Sequence, residues 1–134
     1  MKRLFASLAT VVFVLSLALS AVAQEPAKSV PMQMYHVVAL KQGPNWKSQG
    51  TEEGMDARMQ VINAVRKGAK SGMVVTAGLV NDETGVEFII ILNVETKTEA
   101  YKILEGSPNY KNGMFAADIY SMFAPKGLVV NAGK

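Results

Sequence analysis

Apolar positions along this chain follow two different periods, and the switches between them mark its elements. The stretch Gln33-Met34-Tyr35-His36-Val37-Val38-Ala39-Leu40 is rich in strand formers and predicts a first strand. A loop punctuated by Gly43-Pro44 ends it at Trp46. Over residues 51–71 the pattern turns helical. Met55, Met59, Ile62, Val65 and Ala69 recur at three- and four-residue spacing and predict one apolar stripe, with Arg58, Arg66, Lys67 and Lys70 off it. Thr51 is placed to cap this helix, and Glu52 and Glu53 suit its positive end. Gly72 suits its close.

Residues 73–80 and 86–94 predict two strands joined by the polar turn Asn81-Asp82-Glu83-Thr84-Gly85, a hairpin. Thr96 is placed to cap a short helix over 97–104. A loop over 107–113 then leads to a last strand at 116–123. The order βαββαβ is that of an α+β, ferredoxin-like domain, an antiparallel sheet with two helices on one face. The run Phe88-Ile89-Ile90-Ile91-Leu92 offers apolar side chains to both faces of that sheet. Two helices shield one face only. A second copy on the other would make a homodimer, the dimeric α+β barrel.

The ends read differently. Lys2 and Arg3 precede an apolar stretch that closes on Ala21-Val22-Ala23, the pattern of a signal peptide over residues 1–23. An uncleaved anchor is the other reading, but Gln24-Glu25-Pro26-Ala27-Lys28 supplies no basic stop-transfer flank. Residues 24–32 read as a flexible lead-in, 33–128 as the domain and 129–134 as a tail. Without a cysteine the chain has no site for a lipid anchor, a disulfide, a thiolate metal centre or a thiol nucleophile. Export without disulfides points to a bacterial periplasmic or secreted protein. Loss of Lys2 and Arg3 brings the formal charge of +3 close to neutral. That leaves no electrostatic case for nucleic acid, or for a membrane surface once the leader is cleaved.

Candidate chemistry is sparse. His36, the one histidine, shares a strand face with Val38 and Leu40. It reads either as a structural imidazole or as a general base in a pocket. A lone histidine without cysteine is a poor start for a metal site, and no metal or cofactor is expected. Trp46, the one tryptophan, reads as a hydrophobic plug or as the aromatic wall of a ligand site. The chain has no Gly-x-Ser-x-Gly nucleophile elbow, no phosphate-binding glycine loop and no paired carboxylates outside the helix start and the turn.

Four segments together resemble a known family. They are the first strand leading into Gly43-Pro44-Asn45-Trp46, and Lys70-Ser71-Gly72-Met73-Val74-Val75 running into Ala77-Gly78-Leu79. The others are Thr98-Glu99-Ala100, and Ser107-Pro108-Asn109-Tyr110-Lys111-Asn112-Gly113-Met114-Phe115. In this order and spacing they are similar to the YCII-related proteins, small dimeric α+β barrels, over nearly the whole domain. That resemblance implies the barrel fold. It also implies a site with a histidine early in the first helix and an aspartate in an Asp-Pro step. Here Gln60 or Asn63 stands where the histidine would be sought, and the step reads Ser107-Pro108. An amide and a hydroxyl form hydrogen bonds but do not relay protons near neutral pH.

Two functional expectations follow. One is a non-catalytic exported protein, binding a small molecule in the barrel cleft through His36, Trp46, Gln60, Ser107 and Tyr110, or serving structurally as a dimer. The other is a small lyase- or hydrolase-like enzyme with a site rebuilt around His36, Tyr110 and Ser107. The position of His36 separates them.

Overall fold

In a computed structural model the chain is described over residues 28–128; the expected signal peptide, part of the lead-in and the tail lie outside these. Four strands, β1 (Met32–Gln42), β2 (Val74–Leu79), β3 (Val86–Leu92) and β4 (Phe115–Pro125), form one antiparallel sheet in the order β2-β3-β1-β4. The helices are α1 (Glu52–Lys70), α2 (Lys97–Glu105) and the single turn α3 (Pro108–Lys111). This is the ferredoxin-like α+β arrangement.

Both caps expected at helix starts are present. Thr51 Oγ1 accepts from Gly54 N at 3.1 Å. Thr96 and Glu99 form a reciprocal capping box, satisfying two otherwise orphaned amides. Gly72 follows α1 with φ of +77°, a conformation most side chains resist.

Register assigns the sheet faces. His36, Val38 and Leu40 of β1 stand opposite Leu92, Ile90 and Phe88 of β3. Val38, Leu40, Phe88, Ile90, Leu92 and Ile119 form the core with Ala57 of α1 and with Ala100 and Leu104 of α2. The other face carries Val37, Ile89, Ile91 and Met122, all half-buried, and the exposed Tyr120. No helix covers it. Lys41 and Asp118 bridge across it at 2.6 Å.

The inner face of α1 differs from the expected stripe. Met55 and Met59 are 55% and 49% exposed, and Ala69 is also exposed, whereas Gly54, Ala57 and Gly68 are buried. Ile62 and Val65 of that stripe do pack against the core, so the inward face is turned by less than one residue's 100° of helix. Small residues let α1 approach closely. A Cβ at Gly68 would stand 2.5 Å from Val74 Cγ2 of β2, and one at Gly54 would stand 2.2 Å from the Ser48 carbonyl oxygen of the loop that leads into the helix. Close approach at the small residues helps set the phase, together with Val61, Ile62 and Val65 packed on the core. Arg58, expected off the stripe, turns inward as a result. The segment expected as a loop before the last strand also contains α3, with Pro108 at its start.

Candidate functional site

Three of the five residues expected at a ligand site meet at one cavity. Gln60 of α1, Ser107 before α3 and Tyr110 within it border a space of about 120 Å³ between α1, α2 and the sheet. Its walls are otherwise largely apolar, with Val61 and Val65 from α1, Val38 and Ile90 from the sheet, and Leu104 from α2. An apolar chamber with polar groups at its rim suits a small, mostly apolar guest. Cavities of roughly 150 Å³ with such walls stay dry and take up benzene.

Gln60 also borders a second, more open space of about 420 Å³ at the end of the helices. Amides dominate that groove. Asn45, Asn109 and Asn112 line it, and Lys47, Glu53 and Asp56 are the charged residues of its wall. Asn109 Nδ2 donates to Gln60 Oε1 at 2.8 Å, linking α3 to α1. The loop after β1 is fixed to the loop before β4 by Gly43 N to the Met114 carbonyl at 3.0 Å and Asn45 N to the Gly113 carbonyl at 2.9 Å. Asn45 Nδ2 also reaches the Asn112 carbonyl at 2.7 Å. A Cβ at Gly43 would fall 2.2 Å from the Gly113 carbonyl oxygen, so only glycine permits this contact.

His36 and Trp46 lie elsewhere. His36 is 2% exposed and faces the helix side of the sheet, and it lines none of the cavities described. Its Nδ1 is 3.4 Å from Ser121 Oγ, and its buried Nε2 has no partner among the described residues. No acid–base pair with Tyr110 or Ser107 results. Trp46 packs its ring on Phe115, with centroids 5.4 Å apart and planes at 50°. The Arg58 guanidinium lies 5.4 Å from the centre of the Trp46 ring.

Arg58 also pairs with Glu87, and Gln42 Nε2 donates to the same carboxylate at 2.8 Å. Glu87 is buried because β3 carries an extra residue opposite the Leu40–Lys41 step, a bulge that breaks strict alternation. The sequence reading missed this pair. Its one signal is an acid just inside an apolar strand, opposite a helix carrying an arginine. Asn109 was missed as well, and only its neighbour Pro108, which starts a helical turn, hints at its placement.

Among the described residues no three His, Cys, Asp or Glu side chains converge on a metal position. No helix among them is long and apolar enough to cross a membrane. A scan against protein-family models and a search of curated proteins each find no match to this chain.

Proposed function

We propose that this chain is an exported, non-catalytic small-molecule-binding protein of the bacterial envelope, holding its ligand between α1, α2 and the sheet. The cavity bordered by Gln60, Ser107 and Tyr110 carries this reading, because it joins an apolar interior to a polar rim. The leader pattern at residues 1–23 supports export. The rebuilt-enzyme alternative needs His36 beside Ser107 or Tyr110, and its hydrogen-bonding contact among the described residues is Ser121 alone.

A homodimer through the uncovered sheet face belongs to the same reading. Val37, Ile89, Ile91, Met122 and Tyr120 form an apolar surface there, of the kind soluble monomers seldom leave wet. This also fits the resemblance to the YCII-related barrels.

The binding half is tested by titrating the mature protein with toluene and following methyl resonances. Saturable shifts at Val61, Val65 and Leu104 are expected, and Ala64→Phe, which adds a ring at the exposed edge of the cavity wall, should abolish them. Absence of saturation, or equal binding by Ala64→Phe, would contradict the reading.

A further inference from the structure

The apolar cavity and the amide-lined groove share one side chain, Gln60, and it is hydrogen-bonded to Asn109. Asn109 is only 8% exposed, a degree of burial at which polar groups are normally paired. Its Nδ2 is used on Gln60 Oε1. Gln60 itself is exposed, and Asn109 Oδ1 is not among the buried unpartnered atoms, so Asn109 Oδ1 and Gln60 Nε2, which make no other hydrogen bond among the described residues, stay open to a guest. The pair therefore keeps one unused acceptor and one unused donor at the groove, beside the side chain that also borders the cavity. Turning both amides over reverses the bond between them and leaves the same complement, one donor and one acceptor.

The chemistry of a matching head group follows. A carboxylate only accepts, so it would answer the free N–H and leave the free oxygen facing a negative group. An amidinium only donates and fails in the opposite sense. The charged residues lining the groove, one lysine (Lys47) and two acids (Glu53 and Asp56), do not gather positive charge for an anion. A neutral head with both a donor and an acceptor satisfies both amides. The adjoining cavity of about 120 Å³ limits the apolar part to about one ring or a short alkyl chain.

Resting on the small-molecule reading above, we infer that the ligand is a neutral amide-type amphiphile. Primary amides, lactams and ureas form this class, with the head between Gln60 and Asn109 and the apolar body in the cavity.

Four probes of one ring size test this on the mature wild-type protein: benzamide, benzoate, benzamidine and toluene, each titrated by NMR. Benzamide should bind at least about tenfold more tightly than the other three and shift the side-chain amide signals of Gln60 and Asn109. Gln60→Leu should bring benzamide down to the affinity of toluene. Because the ranking is measured on wild type, it stands whatever the variant does to folding. Toluene binding as well as benzamide would overturn the amide assignment and leave the binding reading intact. Benzoate or benzamidine binding most tightly would overturn it in favour of a charged head. No binding by any probe would overturn the binding reading itself.

Discussion

Arg58 and Glu87 form an ion pair between α1 and β3 whose side chains are 16% and 6% exposed. Removing one member of so buried a pair strands the other's charge. Glu87→Gln or Arg58→Met alone should destabilise the domain by about 3–5 kcal/mol. Arg58→Met with Glu87→Leu should recover much of that loss, because no charge is left without a partner. Urea unfolding of Arg58→Met, Glu87→Leu and the double variant closes the cycle and gives the coupling directly. Purely additive losses would mean that the pair is not formed in solution.

The phase of α1 is open to an equally direct check. Met55→Lys and Met59→Lys should each stay within about 0.5 kcal/mol of wild type, since both side chains reach solvent. Ala57→Leu should cost about 1–3 kcal/mol through overpacking at a buried position. A large loss at Met59 with tolerance at Ala57 in thermal melts would restore the stripe expected from the sequence.

That phase shows where the sequence was legible and where it was not. Thr51 and Thr96 were readable as caps because a cap is a local hydrogen bond whose partners lie within three residues. The βαββαβ order was readable because period and turn residues are local too. The inward face of α1 was not, since Gly54, Ala57 and Gly68 contribute almost nothing to an apolar pattern and act by their lack of bulk. Glu87 was hidden by a bulge, which shifts the side chains of β3 relative to strict alternation. Gln60, Ser107 and Tyr110 are legible as candidates by residue type and position. Their common cavity, and the bond from Gln60 to Asn109, depend on contacts between distant parts of the chain.

The turn between β2 and β3 carries a pH-dependent contribution. Hydrogen bonds from the Thr84 hydroxyl and from Thr84 N, the latter at 2.9 Å, hold the Asp82 carboxyl below its ordinary value of 3.8. A depressed carboxyl pKa stabilises the fold above the unfolded value, and that contribution disappears as pH falls through the folded one. Wild type should therefore lead Asp82→Asn by a constant margin from pH 7 down to about 5. The margin should shrink below about 4. Urea midpoints across this range provide the comparison, and a margin that grows on acidification would contradict the turn geometry.

The two faces of β3 make opposite predictions about assembly. Ile91 lies on the uncovered face and Ile90 in the core, 7% exposed. Ile91→Asp should give a folded monomer, with far-UV circular dichroism retained and the molar mass halved in light scattering. Ile90→Asp should unfold the domain, because a charge would enter the helix–sheet core. An interface of about 1,600 Å² or more is expected for a specific dimer. A wild-type protein that stays monomeric at micromolar concentration would remove the sheet-to-sheet dimer.

Native mass spectrometry of the mature protein, purified from its own cell envelope, tests dimer and ligand together. The expected spectrum is a homodimer carrying one small organic molecule per protomer, with that added mass missing from Ala64→Phe prepared in the same way. A bare monomer, or an added mass that Ala64→Phe retains, would contradict ligand binding between the helices and the sheet of a dimeric barrel.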